Sequence, residues 1–244
     1  MAKIKVWDLP TRIFHWSLAV LVTFDLVIEG EEGWEFSAHS YVGYAILLLL
    51  LFRLVWGFVG GEHARFADFL SGPAKARDYA CSLMKRGPTP YLGHNPLGGW
   101  MILALMATLF VIVVTGLMVQ GEHGATGPLT SYISHDAMEW AEEIHEGAAN
   151  FMIALIILHV LGVIVSSRAH GENLVHAMFS GKKDSPAGRD ARSGARGVAI
   201  LLVGGLLLLG AWMVSVSDVS SHKHEGEGNG MMEDMMEDHE GDDH

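Results

Sequence analysis

The sequence predicts an all-α integral membrane protein, a four-helix transmembrane bundle with a fifth transmembrane helix near the C-terminal end. Half of the 244 residues are hydrophobic and only 18% are charged, against about a quarter charged in an average soluble domain. The apolar residues also fall in long blocks rather than at amphipathic spacing. Five stretches, residues 13–29, 39–60, 97–119, 144–167 and 198–216, approach the roughly 20 residues needed to cross the hydrocarbon core.

The first stretch follows Lys3, Lys5 and Arg12, as a signal peptide would. It ends in the acidic "IEGEEGWE" with no small-residue cleavage site, so it is expected to be a retained span. The single cysteine, Cys81, excludes an internal disulfide, an all-cysteine iron–sulfur site and a covalently attached c-type haem. It reads as an inert loop thiol.

Basic residues alternate across the spans. Lys3, Lys5 and Arg12 precede the first, Arg65, Lys75, Arg77, Lys85 and Arg86 lie between the second and third, and Arg168, Lys182, Lys183, Arg189, Arg192 and Arg196 lie between the fourth and fifth. Only Lys223 falls in the other connections. The positive-inside rule then places the N-terminus in the cytoplasm and the C-terminal tail outside. The formal charge of −12 becomes largely an external acidic surface, which repels nucleic acid and attracts basic or metal-bearing partners.

The fourth stretch carries His145 and His159 in otherwise apolar surroundings. An ionisable side chain in the bilayer is costly unless paired, so it marks function by default. Fourteen residues at about 100° each fall only about 40° short of four turns, which puts both imidazoles on one face, about 21 Å apart along the axis. With the N-terminus inside, His145 is level with His39 near the outer surface, and His159 with His15 near the inner one.

Facing imidazoles across a helical bundle are a means of holding haem iron from both sides. Two such pairs imply two haems, one per leaflet. Gly43, Gly147 and Ala148 would leave room for a flat macrocycle beside the helices. Arg53, 14 residues after His39, falls on the His39 face at the inner depth, where it would neutralise a haem propionate. Simple snorkelling to the interface is an equally open reading of Arg53. Helix-to-helix hydrogen bonding is the corresponding alternative for the histidines, and two depth-matched pairs favour haem over it.

The chain resembles the prokaryotic di-haem b-type cytochromes, which include bacterial cytochrome b561 and the cytochrome b subunit of nickel–iron hydrogenases. The resemblance covers about residues 5–183. It rests on "VWDLPTRIFHWSL", "HSYVGYAILLLLLFRLVWGFVG" followed by "ARFADFL", "GHNPLGGWMILAL", and "IHEGAANFMIALIILHVLGVIV" followed by "HGENLVHAMFSGKK". It implies a four-helix core with two haem b groups, with ligands at His15 and His159 for the inner haem and His39 and His145 for the outer. It also implies electron exchange, across the bacterial inner membrane, between the quinone pool and a periplasmic partner such as a c-type cytochrome or a dehydrogenase subunit. The expected organisation is then a di-haem domain at 1–183, a basic cytoplasmic linker at 184–197, the fifth helix at 198–216 and an acidic periplasmic tail at 217–244. Whether the chain pairs with a second copy stays open.

The tail "SHKHEGEGNGMMEDMMEDHEGDDH" combines imidazoles and thioethers that suit copper with the composition of a solvated, disordered segment. Docking of a basic periplasmic cytochrome lies between these readings and is preferred to metal storage. In "GHNPLGG", Asn95 suits an N-cap ahead of Pro96. His94 and Asn95 are also candidates for hydrogen-bonding a quinone headgroup near the inner haem, with Asp8 and Arg12 as weaker ones. Asp25 suits either a contact to the outer haem, proton transfer, or a solvent-facing place near the helix end. His63, His123, His135, His170 and His176 are expected to be loop histidines.

Two rivals remain at this point: superoxide oxidation coupled to quinone reduction, which the acidic outer loops disfavour, and a haem-free divalent-metal transporter, which the scarcity of Asp and Glu along the spans disfavours. The charge pattern makes a direct prediction. Alkaline phosphatase fused after residue 244 is expected to be active in intact cells and inactive when fused near residue 190, and the reverse pattern would invert the topology.

Overall fold

A computed structural model of the chain describes residues 2–28, 33–84, 91–119, 127–185, 189–195 and 197–212. The elements are β1 (Ala2–Lys5), α1 (Leu9–Val27), α2 (Gly33–Val59), α3 (Phe66–Phe69), α4 (Pro73–Met84), α5 (Pro96–Gly116), α6 (His135–His170), α7 (Leu174–Ser180) and β2 (Lys182–Ser185), then α8 (Gly197–Trp212). The expected acidic tail and the last residues of the fifth stretch lie outside the described residues, as does His123.

Among the described residues, three helical segments are long and apolar enough to cross a membrane: Glu35–Val59, Pro96–Gly116 and His135–His170. α1 has 19 residues, but Thr11, Arg12, His15, Thr23 and Asp25 dilute its apolar character. α6 has 36 residues, about 54 Å at 1.5 Å per residue, well beyond a hydrocarbon core of about 30 Å. Its acidic first turns, with Asp136, Glu139, Glu142 and Glu143, therefore extend past the apolar part. The apolar exterior fits lipid contact: Val20, Phe110 and Ile157 are 66%, 51% and 55% exposed.

One core joins α1, α2, α5 and α6. Ile46, Leu50, Leu109, Val113 and Met152 are buried together, flanked by Leu18, Leu21, Val22, Leu105 and Ile156. It fills the middle of the bundle, at a depth between His39 and Arg53 on α2 and between His145 and His159 on α6.

Two compact units divide at Val203 and Gly204. In the second, the described residues are the C-terminal part of α8, an apolar helix with Leu207 67% and Leu208 74% exposed.

In the first unit, β1 and β2 pair antiparallel, with Lys3 opposite Asp184 and Ile4 opposite Lys183. Just beyond β2, the Ala191 N–H donates to the Lys5 carbonyl at 2.8 Å, and Arg189 pairs with Glu62 at 2.7 Å. The start of the expected linker is thus strand and tied loop.

Local chemistry explains the helix starts. Asp8 caps α1, its Oδ1 accepting from the Thr11 N–H at 2.9 Å, and Ser134 caps α6. Asp8 does more than cap. Its Oδ2 also accepts from Trp56 Nε1 at 3.2 Å and from the Gly61 N–H at 3.1 Å, tying α1 to the end of α2. A Cβ at position 61 would stand 2.6 Å from that oxygen, so any other residue there must displace it. With both oxygens engaged in a site only 7% exposed, Asp8 is a structural hub.

Asp8→Ala strands three buried donors at about 1 kcal/mol or more apiece, so a loss of about 3 kcal/mol and a clearly lowered Tm are expected. Asp8→Asn, which retains a capping oxygen, should lose much less. Thermal unfolding of the detergent-solubilised protein checks both, and an unchanged Tm for Asp8→Ala would contradict the hub.

Candidate functional site

The end of the bundle expected to face outward brings together residues from four helices. His39 on α2 faces His145 on α6, with ring centroids 6.1 Å apart and planes at 72°. Behind His39, Asp25 of α1 places Oδ1 3.0 Å from Nδ1. Behind His145, α5 supplies the Ile112 carbonyl at 2.9 Å from Nδ1 and the Thr115 hydroxyl at 3.2 Å. At His145 the ring nitrogen engaged from behind fixes the tautomer and leaves Nε2 for the facing side.

α5 comes close because residue 116 is glycine. A Cβ there would lie 2.9 Å from His145 Cε1. Sequence reasoning missed both Gly116 and Thr115, which sit on a third helix whose rotation toward His145 no spacing rule supplies. Asp25 was noticed, but its partner needed the depth argument to be run from α1 to α2.

At the opposite end, His15 on α1 faces His159 on α6, with centroids 6.4 Å apart and planes at 50°. Nδ1 of His15 is buried without a partner among the described residues. A metal–imidazole nitrogen bond is about 2.0 Å and the nitrogen lies about 1.1 Å from its ring centre, so a metal between two imidazoles separates their centroids by about 6 Å. Both separations meet that figure. A Cβ added at Gly43 or at Gly147 would meet nothing within 4 Å, which leaves open space for a planar group beside the outer pair. The residues present fit a group ligated from two sides.

Arg53 is 2% exposed. Its guanidinium lies 5.1 Å from the Phe66 ring centre and 5.7 Å from that of Phe69, a cation–π arrangement rather than an extension to water. Its Nη1 is buried with no partner among the described residues.

His94 packs between Trp7 at 4.5 Å and Phe69 at 5.0 Å, and its buried Nδ1 likewise finds no described partner. Burial first, then the nearby positive charge of Arg53, pushes this imidazole down to about 3, so it is neutral at physiological pH. Asn95 is committed at both ends: Oδ1 accepts from the Gly98 N–H at 2.7 Å as the α5 cap, and Nδ2 donates to Ser166 Oγ at 3.1 Å. Arg12 is committed too, with Nη2 on the Phe179 carbonyl.

Three histidines expected in loops are on helices: His135 starts α6, His170 ends it and His176 lies in α7. His170 contacts the Tyr79 hydroxyl at 3.0 Å. His63 is half-buried beside Trp7, at 6.3 Å between ring centres.

Residues 6–181 match the family described as prokaryotic cytochrome b561. The chain belongs to that family. Similar proteins are the probable Ni/Fe-hydrogenase B-type cytochrome subunits of Bradyrhizobium diazoefficiens, 25% identical over 218 residues, which cover 74% of this chain and 85% of the relative, and of Azotobacter vinelandii, 24% identical over 229 residues, covering 75% and 91%. The probable Ni/Fe-hydrogenase 1 B-type cytochrome subunit of Escherichia coli K12 is 26% identical over 144 residues, covering 48% and 60%. This cytochrome b561-family chain is a membrane-embedded, haem b-carrying electron-transfer protein. The haem-free transporter expectation is thereby set aside.

Gly116 yields a sharp test. Gly116→Val drives a side chain into the His145 ring, and bound haem per purified chain is expected to fall, measured by pyridine haemochrome. Full haem content in this variant would show that His145 can move freely.

Proposed function

We propose that the chain holds two haem b groups, one per leaflet, and conducts electrons between an external redox protein and the membrane quinone pool. His39 and His145 would hold the outer haem, and His15 and His159 the inner one. The observation that carries this reading is the recurrence of one geometry, two imidazoles about 6 Å apart, at both ends of one bundle. When bound, haem iron supplies the one-electron chemistry. The chain's own residues ligate, orient and exclude water.

In this reading α1, α2, α5 and α6 form a four-helix transmembrane core with α8 as a fifth span, in the bacterial inner membrane with the N-terminus cytoplasmic. α1 crosses despite its polar residues because His15 and Asp25 face the bundle interior rather than lipid. Arg53, desolvated over two aromatic rings with an orphaned Nη1, would take a propionate of the inner haem. The organisation 1–183, 184–197, 198–216 and 217–244 belongs to this proposal, with the tail recruiting the partner.

A neutral, unpartnered His94 can give or accept one hydrogen bond, which suits a quinone oxygen. Asn95 positions it by capping α5. The partner is a hydrogenase or a similar external dehydrogenase, or a c-type cytochrome. The names of the relatives support the first, and the acidic turns of α6 suit a basic docking face.

Proteoliposomes test this. With ferricyanide enclosed and an impermeant reductant outside, the holoprotein is expected to pass electrons inward, and His145→Ala and His159→Ala each to slow transfer at least tenfold. Equal rates in the two variants and the unaltered protein would contradict a two-station relay. For the quinone, His94→Phe is expected to slow haem reduction by a water-soluble quinol about tenfold with haem content intact. An unchanged rate would move the quinone site elsewhere.

A further inference from the structure

The two histidine pairs are not equivalent. At the outer pair a polar group stands behind each imidazole: the Asp25 carboxylate has an oxygen 3.0 Å from His39 Nδ1, a charge contact outside hydrogen-bond geometry, and the Ile112 carbonyl lies 2.9 Å from His145 Nδ1. At the inner pair no such group is found among the described residues: the buried Nδ1 of His15 has no partner, and the His159 ring contacts His15. A carboxylate inside a bundle is costly, and Asp25 is only 17% exposed in its side chain, so its placement behind an imidazole asks for a purpose.

We infer that Asp25 is a positioning residue that holds His39 and sets the outer haem at a lower reduction potential than the inner one, giving the relay an inward bias. This rests on the ligand assignment proposed above. With its oxygen 3.0 Å from His39 Nδ1, the carboxylate stabilises the more positive oxidation state by its negative charge through a low-dielectric medium.

Among the described residues no carboxylate stands behind the inner pair, and Arg53, buried on that side, favours the reduced state there. One electron then passes from outer to inner haem downhill, with the outer iron oxidised and the inner reduced and no bond made or broken. The external redox protein is the reductant and a quinone the final oxidant.

Potentiometric titration of the purified holoprotein tests this through absorbance in the α-band, with the outer haem identified by its loss in His145→Ala. The unaltered chain is expected to show two midpoints, the lower one disappearing in His145→Ala. Asp25→Asn is expected to raise the lower midpoint by about a tenfold change in the redox equilibrium, about 60 mV for one electron, and to leave the upper one in place. Asp25→Glu, which keeps the carboxylate, should bring it back toward the original value.

A lower midpoint that belongs to the inner pair overturns the inference without any Asp25 variant. A lower midpoint unmoved in Asp25→Asn overturns it as well. A single haem per unaltered chain, or no haem lost in His145→Ala, overturns the ligand assignment instead.

Discussion

An imidazole carried into a lipid bilayer loses its water, and the free energy must be recovered from a partner at the same depth. This requirement organises the molecule. α6 carries histidines 14 residues apart on one face, so α1 must present His15 at one level and α2 must present His39 at the other. α5 has no ligand candidate of its own. It packs along α6 with glycine at position 116 and a hydroxyl at position 115, and in doing so supplies the contact behind His145. The apolar core between the two pairs, centred on Ile46, Leu109 and Met152, keeps them apart and dry.

The basic end of the bundle is tied together by several described contacts. Asp8 ties the start of α1 to Trp56 and Gly61 at the end of α2, β1 pairs with β2, and Glu62 receives both the Arg189 guanidinium and the Arg192 N–H. These contacts fix His15 and Arg53 relative to one another through short loops. At the opposite end the Leu129 N–H donates to the Leu117 carbonyl at 3.0 Å, and the groups behind the histidines are Asp25, Ile112 and Thr115.

Much of this was legible in the sequence because membrane physics is one-dimensional. Hydropathy gives the apolar stretches, the alternation of basic residues gives an expected side for each end, and a rise of about 1.5 Å per residue gives depth, so His15 could be set against His159 before any coordinates. Rotation about a helix axis and the reach of loops are not one-dimensional. Asp25 therefore stood among three readings until α1 and α2 were seen side by side, Asp8 stood as a weaker quinone candidate until the end of α2 was seen to return to it, and Gly116 gave no signal at all. The extra length of α6 was also hidden, because its acidic first turns read as loop on composition.

The most direct test is the count of haem b per purified chain, by pyridine haemochrome against quantified protein, for the unaltered chain and for His15→Ala, His39→Ala, His145→Ala and His159→Ala. Two haems in the unaltered chain and one in each variant is the predicted result. The partner variants should match, His39→Ala and His145→Ala sharing one difference spectrum and His15→Ala and His159→Ala the other. One haem in the unaltered chain, or variants that pair differently, would contradict the account.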